Sequence, residues 1–425
     1  MLLQFAVENV LSFKERTVLS MMAAPHVSHK ERDVIRTPVG DVLRVAAIYG
    51  ANASGKSNLC QALWWAKMLI RSGTPKGEAV RAQPFRLSKT HLVQPSVVEC
   101  EFLINDTRYS YGFKISSELV HEEWLLADGE TLFERSFQQF DVASIGESEK
   151  RTTFVEFVAQ GTRPNQLFLF EASDRNVHEL ESVWSWFDLH LGQIDPNTEL
   201  TDEFARLVAK DGRLRHFATQ LLANADTGVT HLGFGHDSAE LAAIEKRVDA
   251  GEVVDQSERT AAIDAAERFE LRLMHESDDG SAIPFELELE SDGTKALLRL
   301  APVWAVLVGT FGLRLVVDEL DRSLHALLTR HLIESFLRSE PANGSQLLFT
   351  THDTSLLDLA LLPADSFWLA QKDHTGASTI YSLSEYKSGQ MQQLREQVSK
   401  GYMQGRFGAV PTLGDPGLLA GQDGT

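Results

Sequence analysis

Gly50-Ala51-Asn52-Ala53-Ser54-Gly55-Lys56-Ser57 lies between two runs of different period. Before it, Val42 to Tyr49 is mostly apolar and begins with β-branched residues, as a buried strand does. After it, Leu59, Ala62, Leu63, Ala66 and Ile70 recur at helical spacing. A strand, a turn with a glycine near each end and a helix make a phosphate-binding loop. Gly50 and Gly55 let the backbone bend so that its N–H groups face an anion, and the following helix adds the positive end of its dipole. Lys56 is placed to reach the β- and γ-phosphates of a nucleotide, and the Ser57 hydroxyl to hold Mg²⁺.

Outward from this loop the chain changes character several times. Leu3, Phe5 and Val7 alternate with polar or small residues in an opening strand, Asn9 to Phe13 turns, and Val18 to Met22 extends the sheet. Arg71 to Lys89 is a polar loop containing Gln83. Val98 to Ile104 and Tyr109 to Ile115 alternate about an Asn105-Asp106 turn, which predicts a hairpin. Further strands are expected at 123–126, 131–134 and 153–158, so 90–160 reads as an antiparallel β layer. From Ala172 the period becomes helical. One helix is expected through Val177, Leu180, Val183, Trp184, Phe187 and Leu191, and others over 202–210, 214–224, 238–250 and 257–267. Trp184 and Trp186 are read as packing residues. A second hairpin joins 269–275 to 283–290, with Phe285, Leu287 and Leu289 expected to face inward. The expected division is therefore 1–171 for a first lobe, 172–266 for a helical insertion, 267–409 for a second lobe and 410–425 for a disordered tail.

The bulk numbers fit such an organisation. A chain of 425 residues, 43% hydrophobic, can bury a sizeable core in two or three domains. A net charge of −20 argues against a surface generally coated with nucleic acid, while leaving a local basic groove open. Cys60 and Cys100 are too few for a disulfide framework or a metal cluster and read as buried, reduced thiols. The apolar run Leu300 to Leu313 is too short to span a bilayer, and the opening residues read as a strand rather than a signal peptide. A soluble, cytoplasmic protein with no membrane partner is expected.

Two later stretches complete a constellation. Leu313 to Val317 is an apolar strand ending in Asp318-Glu319. In P-loop enzymes an acid at such a strand end helps to hold Mg²⁺ opposite the loop hydroxyl, which suits Asp318. Glu319, expected on the other face, could orient or deprotonate the attacking water. Ser291-Asp292-Gly293-Thr294-Lys295 opens another helix and offers a second anion-binding N-terminus. One phosphate chain cannot easily use two such ends within one lobe, so the stretch suggests two copies sandwiching nucleotide. Residues 56 and 318 also lie far apart in the chain, whereas compact switch-type and ring-forming NTPases keep these elements close.

The order Gly50-x-Asn52-x-Ser54-Gly55-Lys56-Ser57-Asn58, Ser291-x-Gly293, Asp318-Glu319, His352 resembles the ABC ATPase heads of the SMC, RecF and OLD type. Phe5-x-Val7-x-Asn9-x-x-Ser12-Phe13 and Gly405-Arg406-Phe407-Gly408 are similar to one sub-branch, ATPases of bacterial anti-phage and abortive-infection operons that work beside a Toprim or RloB-like partner. The resemblance spans roughly 1–410. It implies an α/β P-loop NTPase of ABC ATPase-head type, with a mixed central sheet, an antiparallel β layer and a helical insertion. It further implies ATP and Mg²⁺ as cofactors. Gly50, Asn52, Ala53, Ser54, Gly55, Lys56, Ser57 and Asn58 would form the nucleotide loop, with Ser57 and Asp318 on the metal. Glu319 is then the general base and His352 the switch that senses the γ-phosphate. Ser291, Gly293 and Thr294 contact the ATP of a second copy, and Arg322 to His325 form the D-loop. Gln83 is the one candidate for the Q-loop, and the signature departs from Ser-Gly-Gly-Gln.

The resulting expectation is an ATPase that dimerises around ATP and regulates a separate effector in anti-phage defence. The alternative is a DNA-binding recombination or repair ATPase of the RecF kind, disfavoured by the acidic balance and the absence of a basic stripe. A transporter's nucleotide-binding subunit ranks third.

Overall fold

The computed structural model describes residues 1–146, 148–194, 200, 202–236, 244, 246–247, 255–257, 269–340, 344–386 and 398–410. The chain divides into two compact units. One holds Met1–Gln193, Thr310–Leu320 and Leu332–Thr425, and the other Ile194–Gly309 and Asp321–His331.

Among the described residues the first unit contains two large sheets and a two-stranded one, Val34–Thr37 with Gly40–Leu43. One large sheet is antiparallel throughout, in the order Gln139–Asp141, Glu130–Ser136, Val120–Ala127, Thr107–Ile115, Ser96–Ile104, Leu2–Glu8 and Thr17–Ser20. Its register follows the alternation of the sequence: Val98 faces Phe113 and Cys100 faces Tyr111, all buried. Asn105 and Asp106 both have positive φ, 46° and 68°, as a two-residue hairpin turn requires. The other large sheet is mixed, in the order Leu191–Ile194, Arg314–Val317, Gln346–Thr350, Val45–Gly50, Phe367–Lys372 and Ser378–Ser382. From Arg314–Val317 to Phe367–Lys372 its strands run parallel, and Ser378–Ser382 is antiparallel at the edge. Val45–Gly50 is buried at every residue, which is why it reads as a continuous apolar run.

The helix Lys56–Ser72 buries Leu59, Ala62, Leu63, Ala66 and Ile70, the face its period predicts. It packs with the helix Glu181–His190, which carries Val183, Trp186 and Phe187 into the same core. Trp186 stacks on Phe102 at 4.3 Å, and Trp184 Nε1 donates to the Ile70 carbonyl at 3.1 Å. Residues 172–193 therefore group with the first unit, not with the helical insertion expected from 172.

Asn9 shows what the opening motif does. Its side chain donates to the carbonyls of His91 and Gln94 at 2.8 and 2.9 Å and accepts the Phe85 N–H at 3.0 Å. Its φ of 53° suits asparagine better than most residues. At the other end of the chain, Tyr381 and Tyr386 donate to the Phe407 carbonyl at 2.6 and 2.8 Å.

A fully buried ion pair ties the antiparallel sheet to the helix Phe168–Asp174. Glu123 accepts the N–H groups of Phe168 and Leu169 at 2.6 and 3.0 Å and the Tyr111 hydroxyl at 2.9 Å. Arg135, at 3.6 Å from Glu123, donates to the carbonyls of Gln166 and Phe137 at 2.5 and 2.7 Å. Burial raises the Glu123 carboxyl above its ordinary range, opposed by Arg135 and these donors. Arg135→Met leaves that carboxylate buried without its cation. It should cost on the order of 3–5 kcal/mol, read as a lower urea midpoint.

Several expectations are corrected. Residues 153–158, expected as a strand, lie in the helix Glu149–Gly161. Ser148 caps it by accepting the Arg151 N–H, and Val155, Val158 and Ala159 are buried at helical spacing despite the β-branched content. The helix expected through 177–191 is a 3₁₀ turn, His178–Leu180, followed by Glu181–His190. In the second unit, Val229–His236 is a strand paired with Phe269–Glu276, so this region is not purely helical. Gly233 and Gly235 had diluted its β signal. Phe269–Glu276 pairs in turn with Ala282–Glu286, as the predicted hairpin requires. Phe285 and Leu289 are exposed and Leu287 is half-buried, because Ala282–Glu286 is an edge strand and Leu287–Leu289 a 3₁₀ turn. The helices Asp202–Lys210 and Gly212–Asn224 agree with expectation. Those over 238–250 and 257–267 fall outside the described residues except at 244, 246, 247 and 257, and the tail does so except at 410.

Candidate functional site

The phosphate loop leaves the buried strand Val45–Gly50 and ends at Gly55, which precedes the helix Lys56–Ser72 with φ 111° and no side-chain cap. The first N–H groups of that helix are thus left for another acceptor. A Cβ on Gly55 would collide with the Ser378 side chain, and one on Gly50 with the Ala370 carbonyl. Any other residue at either position would displace the loop. Ala53 adopts φ 61° without being glycine. Asn52 and Ala53 are exposed, while Ser54, Gly55 and Lys56 are buried. Ser54 Oγ is a buried hydroxyl without a hydrogen-bond partner. Lys56 Nζ donates to the loop's own carbonyls, Gly50 at 2.9 Å and Ala51 at 3.1 Å.

Opposite the loop, Ser57 Oγ donates to Asp318 Oδ1 at 3.1 Å. Two residues from distant parts of the chain therefore meet, as the sequence reading requires. They do so because Arg314–Val317, Gln346–Thr350 and Val45–Gly50 are parallel and in step, with Val317 facing Phe349 and Thr350 facing Ile48. Asp318 and Glu319 do not continue the strand's alternation, as had been expected: the strand ends at Val317, and Glu319 turns left-handed at φ 53°. That conformation costs a non-glycine residue about 1–2 kcal/mol. It is held by Thr350, whose Oγ1 accepts the Glu319 N–H at 2.8 Å and whose carbonyl accepts the Leu320 N–H at 3.0 Å. The same hydroxyl donates to Asp318 Oδ1 at 2.6 Å. Thr350 had no role assigned to it from the sequence, where His352 alone was singled out in this region.

His352 is exposed in the loop after that strand, and the neighbouring Asp353 carbonyl accepts the Tyr49 hydroxyl at 3.2 Å. Asn58 and Gln83 line one cleft of about 400 Å³ together with Ser12, Phe85, Arg86 and Lys372. Arg86 and Lys372 bring two cations to this cleft that no motif had singled out. Cys60, on the loop's helix, is fully buried, and burial together with Asp318 raises its thiol well above the ordinary range. Cys60 and Cys100 are both free thiols.

The second unit carries the stretch expected to act as a signature, residues 291–295. Ser291 is exposed and caps the helix Asp292–Val308, its Oγ accepting the Thr294 N–H at 3.1 Å. Thr294 is buried, with its hydroxyl 2.9 Å from Ser291 Oγ. The structure thus places Thr294 inside the cap. A Cβ on Gly293 would come within 2.9 Å of the Ser323 carbonyl, so Gly293 lies directly against the Arg322–His325 segment. Arg322, Ser323 and His325 are exposed. Glu290, just before the signature, is held by His275 at 2.7 Å.

The donor set fits a nucleotide with Mg²⁺. The loop presents a turn with no room for a Cβ at Gly50 or Gly55, helix N–H groups without a side-chain cap, and an ammonium. Ser57 and Asp318 offer a hydroxyl and a carboxylate, the hard oxygen ligands that Mg²⁺ takes alongside water and phosphate. Among the described residues no cluster of three or more His, Cys, Asp or Glu could hold a metal, and no helix is long and apolar enough to cross a membrane.

A family model described as "AAA domain, putative AbiEii toxin, Type IV TA system" matches residues 45–358. Among solved structures, the SMC head domain from Thermotoga maritima is similar with a TM-score of 0.39 and 15% identity, over 90% of this chain and 98% of that one. A crystal structure of the SmcHead bound to the C-winged helix domain of ScpA is similar with a TM-score of 0.43 and 14% identity, over 90% and 97%. None of the curated proteins matches the sequence. The family match runs from the strand that feeds the phosphate loop to beyond His352 and takes in most of the chain, which therefore belongs to the AAA-domain family that includes putative AbiEii toxins of type IV toxin–antitoxin systems.

Proposed function

We propose that the protein is an ATPase that dimerises around ATP and Mg²⁺ and uses that state to regulate a separate effector, of Toprim or RloB-like type, in anti-phage defence. The observation that carries the ATPase reading is the meeting of Ser57 and Asp318 at the mouth of the loop that holds Lys56. Lys56 and the loop N–H groups, from Gly50 to Asn58, bind the phosphates. Ser57 and Asp318 hold Mg²⁺, which when bound offsets charge on the phosphate oxygens. Glu319 takes the proton from the attacking water, and His352 senses the terminal phosphate. Arg86 and Lys372 supply positive charge in the adjoining cleft.

Support for the dimer comes from the second unit, where the exposed Ser291 and the exposed Arg322–His325 segment adjoin one surface through Gly293. Such a patch suits contact with nucleotide held by another copy. The test is complementation. Ser291→Arg and Lys56→Met should each abolish hydrolysis alone. Mixed, they rebuild one intact composite site per heterodimer, and phosphate release should return to a quarter or less of the unaltered rate. No recovery on mixing, with both variants folded, would sink the shared site.

A further inference from the structure

We propose that Thr350 is a positioning residue that sets both acids of the hydrolytic pair through one hydroxyl. This rests on the reading of Asp318 as metal ligand and Glu319 as base. The backbone N–H of Glu319 can only donate, so Thr350 Oγ1 is the acceptor of that 2.8 Å bond. Its own proton is then directed to Asp318 Oδ1 at 2.6 Å, and an ionised carboxylate can only accept. Ser57 donates to the same oxygen at 3.1 Å. Oδ1 is thereby fixed by a hydroxyl from each side, one from the phosphate loop and one from the neighbouring strand.

The Thr350 carbonyl completes the clamp by accepting the Leu320 N–H at 3.0 Å, so one residue holds three consecutive positions, 318 to 320. The side chain is fully buried, which leaves water no access to replace either bond. Glu319 sits between these contacts in its left-handed conformation. Without the hydroxyl, its N–H loses the partner that holds the turn, and Asp318 is free to rotate away from Ser57.

Thr350→Val removes the hydroxyl at nearly constant shape, and Thr350→Ser keeps it. Affinity for a fluorescent ATP analogue is measured by titration in EDTA and across a Mg²⁺ series, beside steady-state hydrolysis. A hydrogen bond to a charged group corresponds to roughly a ten- to hundredfold effect. Thr350→Val should therefore raise the Mg²⁺ midpoint about tenfold and lower kcat by a similar or larger factor, with affinity in EDTA unchanged. Thr350→Ser should return the midpoint to within about twofold of the unaltered chain. Should the valine variant not fold, Thr350→Cys, with its weaker donor, carries the same expectation at smaller amplitude. A Mg²⁺ midpoint in Thr350→Val or Thr350→Cys equal to that of the unaltered chain overturns the positioning role alone. Nucleotide affinity in the unaltered chain that is indifferent to both Mg²⁺ and Lys56→Met instead breaks the underlying nucleotide reading.

Discussion

Glu319→Gln should hydrolyse ATP on the order of 10²–10⁴-fold more slowly than the unaltered chain while binding it undiminished. The amide has the shape of the carboxylate but cannot take a proton from water. The turn that presents it is held through the main chain of residues 319 and 320, so the exchange should leave Asp318 and the phosphate loop in place. With binding intact and turnover blocked, the ATP-bound dimer should accumulate. Light scattering in ATP and Mg²⁺ should show a doubled mass that persists after free nucleotide is removed. Full turnover in this variant would take Glu319 out of its role. A monomer that binds ATP tightly would leave the base assignment intact and remove the dimer.

Lys56→Met should weaken ATP binding by roughly ten- to a hundredfold, the range for losing a hydrogen bond to a charged partner. Methionine keeps an apolar stem of similar length where Lys56 is buried. The carbonyls of Gly50 and Ala51 lose a donor at 2.9 and 3.1 Å, at a cost of about 1 kcal/mol each. The nucleotide-free chain should therefore unfold only about a few degrees lower, while the thermal shift produced by ATP with Mg²⁺ largely disappears. An unchanged shift would show that the nucleotide is held elsewhere. The two substitutions separate binding from chemistry, because one abolishes the thermal shift and the other preserves it.

What was legible in the sequence was mainly what is local. Gly50, Gly55, Lys56 and Ser57 declare themselves because a phosphate loop is built from neighbouring residues and their backbone. The Asn105-Asp106 hairpin is legible for the same reason. Asp318 could be paired with Ser57 from the order of motifs, although its distance to Ser57 could not be read. No role could be given to Thr350 from the sequence because its contacts with residues 318 and 319 come from strand register, a property of three segments together. The left-handed turn at Glu319 was hidden too, since alternation predicts opposite faces and takes no account of a strand ending at Val317. Thr153 to Val158 misled through β-branched content, where the cap at Ser148 and the burial of Val155, Val158 and Ala159 decided for helix. Thr294 looked available as part of a motif and is buried by the cap it helps to form.

The in-step parallel strands have one more implication, for how the protein tolerates change in length. Val317, Phe349 and the residues around Ile48 fix where each chain segment leaves the sheet. The functional side chains are, in effect, addressed by counting from buried apolar anchors. Removing one residue from Arg314–Val317 would turn every side chain of that strand to the opposite face. It would also shift both acids by one place relative to Ser57. Indels here are therefore lethal to function for the same reason they are lethal to the core, and length variation has room in exposed runs such as 75–79, which set no strand register.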